Sequence, residues 1–357
     1  MTKSSDKKEK YIRNNCVQAI KGLCIIFVVL IHLPWGWEDP QWLSLLWLSA
    51  RKVINFAVAT FFFLSAYYTP EYNRLSDRNN IFQFYKKRIK RLILPYITWS
   101  IVYVFLLPII TTGNPSDRWA FYLLTGYGPL YFLLALTQFT IIAPLIQKYK
   151  NNPIANFFFW LVTPAYLVFY YTFNFHNGYE FKPEQFLCFP WFAVYYLGLK
   201  LQQHDNRQNI AQLTSLFGCM FIALLYSMIE GIMIDHYSGI YSFAISQITT
   251  GSILYSIVVC LIFHKVFINR PEGSKPTILS RIGDYSMGIF LMHIFINWIF
   301  RYLVMHYPIN MLISWDNPVQ CMFVNIVIWI ASVAISFLTC KFLSERMPSL
   351  NLYLGLK

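Results

Sequence analysis

Long apolar stretches recur along the chain, and short polar connections separate them. A helix needs about 20 mostly apolar residues to cross the hydrocarbon core of a bilayer. Stretches of this kind predict an all-α, polytopic membrane protein with ten transmembrane helices in one bundle. The predicted spans are 17–35, 53–69, 92–111, 121–146, 157–173, 186–201, 210–230, 244–268, 285–305 and 319–343. We divide the chain into a basic N-terminal segment (1–16), one transmembrane domain (17–346) and a C-terminal tail (347–357).

Composition supports this class of protein. Of the 357 residues, 57% are hydrophobic and 13% are charged, about half the charged share of an average soluble protein. Aromatic residues make up 19% of the chain, and such rings collect at membrane interfaces. These values exclude a soluble enzyme, a disordered tail and a secreted disulfide scaffold. The seven cysteines lie mostly inside spans without paired short spacings, so we interpret them as small core residues and expect neither a disulfide set nor a metal site.

Basic residues are unevenly divided between the two sides that the spans define. With the N-terminus inside, 24 of the 29 Lys and Arg residues fall on that side. The other side has five, including Arg51 and Lys52 in the predicted connection 36–52. Cytoplasmic connections carry such an excess. We therefore predict a multi-pass protein of the plasma membrane (the inner membrane of a bacterium) with both termini cytoplasmic, and the net charge of +13 requires no nucleic-acid partner.

Two ionisable residues lie within the first predicted helix, where such groups indicate function by default. Lys21 and His32 are 11 residues apart, a spacing that places them on one helix face, about 16 Å apart along the axis. One face would then join a cation at the cytoplasmic surface to an imidazole in the outer half of the bilayer. The alternative is that Lys21 only anchors the helix at the interface and His32 is a packing residue.

A basic cluster precedes the third span, in the segment 82–99. Arg88 and Arg91 are neighbours on one face if this segment is helical, and Lys87 lies four residues before Arg91. A guanidinium group can donate two hydrogen bonds at once to the oxygens of a phosphate, so the cluster could hold a phosphorylated cytosolic ligand. Binding to anionic lipid headgroups is the simpler interpretation from composition alone.

Together these residues resemble acyltransferase family 3, a family of integral membrane acyltransferases. The first-helix pattern is a basic residue, ten residues and a histidine. The other matching motifs are Arg88-x-x-Arg91 followed by Leu94, Pro95, Tyr96 and Trp99; FFFLSA from Phe61 to Ala66; PLYFLLAL from Pro129; and IGDYSMGIFLMH from Ile282 to His293. Two positions depart from the family pattern. Gln18 stands where the family usually has an acidic residue, so the resemblance implies no ion pair between this position and Lys21. Ala66 stands where the family usually has glycine, so we expect the helix packing at this position to differ from that of the family.

The resemblance implies transfer of an acyl group, commonly acetyl, from cytosolic acyl-CoA to a hydroxyl or amine of an extracytoplasmic glycan or lipid-linked sugar of the cell envelope. Acyl-CoA is the co-substrate, no cofactor is bound permanently, and membrane lipids are the other partners. His32 would be the catalytic residue, either as a general base or as the group that carries the acyl in a covalent intermediate. The residues expected to bind acyl-CoA are Lys21, Lys87, Arg88 and Arg91, and those that could line its cavity are Ser65, Trp99 and His293.

Other polar residues have weaker assignments. For His293, a hydrogen bond between helices is the simpler role, and packing is the simpler role for Ser65. Glu38 and Asp39 are candidates for a carboxylate that orients His32. Glu230 and Arg301 are predicted near outer span ends, where they would contact a sugar or water.

Two other classes of function fit the same chain. A transporter or glycan flippase could use His32 as a proton relay, although the two halves of the sequence show no convincing similarity to one another. A purely structural membrane protein would require neither His32 nor the arginine pair. Dependence on acyl-CoA separates the enzyme from both.

Overall fold

The computed structural model describes residues 14–33, 41–75, 77–114, 116–178, 187–202, 210–268, 275–306 and 317–356. Within these ranges the chain is helical and contains no β-strand. The helices are α1 (Asn15–Ile31), α2 (Gln41–Ile54), α3 (Phe56–Tyr67), α4 (Tyr72–Leu75), α5 (Arg78–Ile101), α6 (Leu107–Thr112), α7 (Trp119–Thr125), α8 (Tyr131–Tyr149), α9 (Pro153–Asn177), α10 (Phe192–Leu201), α11 (Ile210–Ser238), α12 (Tyr241–Ala244), α13 (Thr250–Phe263), α14 (Ile278–Asp284), α15 (Ser286–His306), α16 (Pro318–Arg346) and α17 (Asn351–Leu354). We name the two sides of the bundle by the ends of α1: the Asn15 side and the His32 side.

The polytopic all-α prediction is confirmed, but the number of ten spans is not. Among the described residues, seven helical segments are long and apolar enough to cross a membrane, and an eighth is obtained if the bent pair α14–α15 is one span. The seven are Ser44–Tyr67, Arg78–Ile110, Gly128–Tyr149, Pro153–Asn177, Ala211–Ser238, Thr250–Ile268 and Val319–Arg346. The other two predicted spans correspond to helices of 17 residues (α1) and 10 residues (α10), compared with about 20 residues in a typical crossing.

The helices and the predicted spans have different ends at two places, one next to a basic segment and one at a pair of glycines. The span predicted at 92–111 belongs to a helical segment that begins at Arg78, because basic residues end an apolar stretch without ending a helix. Pro95 consequently lies inside α5 rather than near the start of the helix. The span predicted at 121–146 is interrupted between α7 and α8, where Gly126 and Gly128 have positive φ angles of 82° and 54°, a conformation that glycine adopts at little cost.

The placement of Arg51 and Lys52 in an outer connection is wrong. Both residues lie in α2 and are buried. The Lys52 Nζ atom has hydrogen bonds to Thr249 Oγ1 (3.0 Å) and Ser252 Oγ (3.3 Å), and a third to the Ser246 carbonyl oxygen (3.4 Å). A buried ammonium is tolerated because these acceptors replace water, and they tie α2 to the segment that leads into α13.

Helix α14 and helix α15 meet at a bend of 81°, so α14 crosses the Asn15 side of α1 while α15 runs beside it. The crossing is close because both helices present glycine. A Cβ atom on Gly283 would collide with the Gln18 carbonyl oxygen, and one on Gly22 would collide with the Leu279 carbonyl oxygen. Small residues allow backbones to approach in this way in membrane bundles.

Helix α3 and helix α10 make a second close contact, at the position where the family pattern has glycine and this chain has Ala66. The space is supplied by the opposite helix: a Cβ atom on Gly198 would lie 2.8 Å from the Ala66 Cβ and 2.5 Å from the Phe63 carbonyl oxygen. Ala66 is fully buried in this contact. The alanine is therefore accommodated because α10 carries the glycine.

The C-terminal tail packs against the bundle. After α16, residues 348–350 form a 3₁₀ turn and α17 follows. A Cβ atom on Gly355 would lie 2.7 Å from Leu291 Cδ1 and 3.1 Å from Met287 Cγ, and Leu356 is buried. The tail thus supports the first turns of α15.

Candidate functional site

Helix α1 brings His32 to a second histidine. His32 is the first residue after α1, and its backbone N–H donates to the Val29 carbonyl at 3.2 Å. Its ring centroid is 5.2 Å from that of His293 in α15, with an angle of 45° between the ring planes. The structure therefore brings together two imidazoles that are 261 positions apart in the sequence.

The hydrogen bonds of His293 define its tautomer. Its Nδ1 atom lies 3.2 Å from the Ile289 carbonyl oxygen, and a carbonyl only accepts, so Nδ1 carries the proton and Nε2 of the neutral ring carries a lone pair. The Nε2 atom is buried and has no hydrogen-bond partner among the described residues. The expected hydrogen bond between helices is thus replaced by one within α15, and the free lone pair belongs to the ring that contacts His32.

Arg51 is a neighbour of His32 that sequence analysis missed. Its Nη1 atom donates to the Ile31 carbonyl oxygen at 2.6 Å, one of the carbonyls that the end of α1 leaves without a partner inside the helix. Arg51 was predicted to lie in a connection, because a charged residue at the edge of an apolar stretch indicates that the span ends there.

A cavity of about 140 Å³ lies between the helices on the path from Lys21 toward the two histidines. Its lining residues are Lys21, Phe61, Phe132, Leu136, Ser286, Met287 and Phe290. The volume is close to that of an engineered cavity of about 150 Å³ that binds benzene. The cavity therefore has room for a group of benzene size, with a single lysine among mostly apolar walls.

Phe290 links this cavity to the histidines. Its ring is part of the cavity wall and lies 6.0 Å, centroid to centroid, from the ring of His293. Lys21 shares the cavity with residues of α15, and His32 contacts His293 of the same helix. Both side chains of α1 therefore face α15, as their spacing of 11 residues predicts. Neither histidine is itself part of the lining, because Phe290 lies between.

The basic residues of α5 have different surroundings. Arg88 is partly buried and donates to the Tyr68 carbonyl (2.8 Å) and to Thr69 Oγ1 (3.0 Å), so it binds the end of α3. Arg91 and Lys87 are exposed on the surface of the Asn15 side. Arg88 is therefore placed by contacts within the protein, whereas Arg91 and Lys87 are open to a ligand or to lipid.

Ser65 and Trp99 lie in the helices around the cavity, outside its lining. Ser65 is one turn beyond Phe61 on the same face of α3, and its carbonyl oxygen accepts from Thr69 Oγ1 at 2.9 Å. Trp99 is buried against Tyr103, with ring centroids 5.7 Å apart. Their role as cavity residues stays a prediction.

The remaining candidates fall outside this site. Glu230 is not open to a sugar: it accepts from the Tyr171 hydroxyl at 2.6 Å and from the Gly251 N–H at 2.8 Å. Glu38 and Asp39 lie outside the described residues, as does the side chain of Arg301. The part of the chain that the structure describes therefore offers no carboxylate beside His32.

Comparisons with known proteins agree with the motifs. A family model described as an acyltransferase domain matches residues 14–344. Two relatives are both named probable poly-beta-1,6-N-acetyl-D-glucosamine export protein, from Staphylococcus aureus strain Mu50 / ATCC 700699 and strain MSSA476. Each is 22% identical over 310 residues, which cover 82% of this chain and 85% of the relative. No solved structure matches the chain significantly.

Proposed function

The chain belongs to acyltransferase family 3, and on this premise we propose that it transfers an acyl group, acetyl in the simplest case, from cytosolic acyl-CoA to a hydroxyl of an extracytoplasmic glycan. The observation that carries the proposal is the arrangement along α1. Lys21 opens on a cavity at one end, and the paired imidazoles of His32 and His293 lie at the other.

The Asn15 side of the bundle is the donor side in this proposal, and we assign it to the cytoplasm. The polar nucleotide of coenzyme A stays there, where Lys21 and the exposed Lys87 and Arg91 supply positive charge for its phosphates. The thin pantetheine arm extends through the cavity toward His32. Because the cavity has room only for a benzene-sized group, the ring of Phe290 has to turn aside before the thioester reaches the histidines.

At the His32 side the reaction is proposed as a direct acyl transfer. His32 takes the proton of the acceptor hydroxyl while the hydroxyl oxygen attacks the thioester carbonyl. The tetrahedral intermediate then collapses, the C–S bond breaks, and the protonated imidazole returns its proton to the leaving thiolate. A covalent acyl-histidine is the alternative: the His32 imidazole attacks the thioester carbonyl, the thiolate leaves, and the acceptor hydroxyl then attacks the acyl-histidine and releases the imidazole.

The relatives suggest the acceptor. Their names refer to poly-beta-1,6-N-acetyl-D-glucosamine, so we propose a polymer or lipid-linked precursor of N-acetylglucosamine as the glycan. Its free hydroxyls are the acyl acceptors. Comparison of surface glycan from a wild-type and a deletion strain by mass spectrometry identifies the acyl group and its carrier together.

The catalytic assignment is tested with His32→Ala. General-base catalysis contributes about 10²- to 10⁴-fold, so transfer from radiolabelled acetyl-CoA to a β-1,6-linked N-acetylglucosamine oligosaccharide should fall by at least about 100-fold, while membrane insertion and yield stay normal. His236→Ala, at an exposed histidine near the end of α11, is the matched control and should retain wild-type transfer. A His32→Ala protein with normal transfer removes His32 from the reaction.

Export of a polysaccharide is the second candidate, and the names of the relatives favour it. In that case the protein moves glycan across the membrane, with His32 as a proton relay. The two functions differ in their dependence on the donor. Proteoliposomes of an exporter translocate unmodified glycan without acyl-CoA, whereas an acyltransferase produces acylated glycan only when acyl-CoA is supplied.

A further inference from the structure

Asn297 in α15 has a side-chain amide without partners. Its Oδ1 and Nδ2 atoms are buried, and neither has a hydrogen-bond partner in the described part of the chain. A buried donor or acceptor without a partner lowers stability. Such groups in a native protein call for an explanation, and a catalytic role is one of the recognised ones.

The position of Asn297 is fixed by its neighbours on the same helix face. His293, Asn297 and Phe300 are four and three residues apart, so their side chains lie in one row. His293 contacts His32, and Phe300 packs against the cluster of Leu33 and Ile328. Asn297 lies between these two contacts, about 6 Å along the axis from His293. Its amide therefore faces the end of α1, at the side of His32 away from the cavity.

Several hydrogen-bond donors in the described part of this end of α1 already have acceptors. The backbone N–H groups of His32 and Leu33 already donate to the carbonyls of Val29 and Leu30, both at 3.2 Å. Arg51 Nη1 is bonded to the Ile31 carbonyl, and His293 presents a lone pair rather than a proton. The Asn297 Nδ2, by contrast, is a buried donor that has no hydrogen-bond partner in the described part of the chain.

Acyl transfer needs such a donor. When the acceptor oxygen forms its bond to the thioester carbon, the carbonyl electron pair moves to oxygen, and the resulting oxyanion must be stabilised until the C–S bond breaks. Asparagine side chains in water-free sites serve this role in other acyl-transfer enzymes. A donor that is buried and has no hydrogen-bond partner before the substrate binds gives up no hydrogen bond when negative charge develops on the thioester oxygen.

We propose that Asn297 is the oxyanion-binding residue: its Nδ2 atom donates to the thioester oxygen and stabilises the tetrahedral intermediate formed beside His32. The assignment rests on the proposed acyltransferase function. It adds a catalytic residue to that function and places the reacting carbonyl between α1 and α15.

The test replaces Asn297 with leucine, which has nearly the same shape and no polar atoms. Replacement of unpaired buried polar groups by apolar ones of the same shape is neutral or stabilising, so the melting temperature should be unchanged or higher. Loss of one oxyanion donor lowers kcat by about 10²- to 10³-fold, and the KM for acetyl-CoA should stay within about twofold of wild type because the donor acts on the transition state. The assay uses the full chain in lipid nanodiscs, radiolabelled acetyl-CoA and a β-1,6-linked N-acetylglucosamine oligosaccharide.

Asn174→Leu is the control for loss of a buried amide, because Asn174 is fully buried in α9, away from α1. It should retain wild-type kcat.

The proposal is overturned if Asn297→Leu keeps kcat within about threefold of wild type, as expected if an ordered water alone satisfies the amide. It is equally overturned if that variant raises only the KM for the oligosaccharide, since Asn297 would then bind the acceptor. These results leave the acyltransferase intact if the wild-type protein is active and His32→Ala is not, whereas a wild-type protein without acetyl-CoA-dependent transfer refutes the function itself.

Discussion

Arg88 and Arg91 are three residues apart on α5, yet their surroundings differ. The Arg88 guanidinium donates to the Tyr68 carbonyl and to Thr69 Oγ1, and its carbon lies 5.2 Å from the centre of the Phe84 ring. Arg91 is exposed. Spacing alone suggests one phosphate-binding pair, whereas in the structure Arg88 contacts the end of α3 and Arg91 is the exposed member of the pair.

This difference predicts separate effects of the two alanine variants. Arg88→Ala leaves the Tyr68 carbonyl without its partner and should lower the free energy of unfolding by about 1–3 kcal/mol. Arg91→Ala should leave stability unchanged and weaken acyl-CoA binding about tenfold, by loss of one charge-assisted hydrogen bond. Thermal unfolding and competition with free coenzyme A measure the two effects.

Lys90→Ala, at another exposed position of α5, is the control for general loss of charge and should affect neither quantity. If Arg91→Ala binds the donor as tightly as wild type, the basic residues of α5 interact with lipid headgroups rather than with acyl-CoA.

At the scale of elements, the contact between α1 and α14 positions the candidate site. Helix α14 is joined to α15 through the 81° bend, and α15 carries Phe290 and His293. The contact is made by Gly22 and Gly283, each of which lies against the backbone of the opposite helix. Any change in the distance between α1 and α14 is therefore transmitted to the pairing of α1 with α15.

Gly283→Ala should disturb this contact. The added methyl group would collide with the Gln18 carbonyl oxygen, and such overpacking costs about 1–3 kcal/mol. We expect a lower melting temperature in detergent and reduced acyl transfer. Gly218→Ala is the matched control, because nothing lies within 4 Å of a Cβ atom at that position in α11. Alanine favours a helix by about 1 kcal/mol over glycine, so the control should be as stable as wild type or more stable. Equal stability of the two variants would show that α1 and α14 can separate freely.

Helix boundaries show how far element-scale prediction reaches. Every predicted span overlaps a helix in the structure, because apolar length is a local property of the sequence. The interrupted span at Gly126 and Gly128 and the long α5 were not predicted. Hydropathy reports which residues prefer lipid, and it contains no information on where the backbone turns or where a helix continues into water.

At the scale of the whole molecule, the residues that match the family and the residues of the candidate site belong to one helical bundle. The match covers residues 14–344, and the C-terminal tail packs against α15. The proposed reaction requires the donor and the acceptor on opposite sides of this bundle. Orientation in the membrane is therefore as important to the proposal as any single residue.

The distribution of Lys and Arg predicts that both termini are cytoplasmic. A fluorescent protein fused to either terminus should fluoresce, and alkaline phosphatase fused there should be inactive, because it folds only outside the cytoplasm. Alkaline phosphatase inserted after Gly239, in the turn between α11 and α12, should be active. Phosphatase activity at either terminus would reverse the assignment of the donor side.

Sequence alone determined the class of the protein, the approximate place of its membrane helices, the family, and the alignment of Lys21 with His32 on one face of α1. These follow from hydropathy, charge and helical periodicity, each of which is set by residues close together in the chain. Tertiary structure alone placed His293 and Arg51 beside His32, separated Arg88 from Arg91, and set Asn297 at the end of α1. Helices in a bilayer choose their neighbours by the fit of small residues and by individual hydrogen bonds rather than by hydrophobicity, so which distant side chains meet is decided only when the bundle assembles.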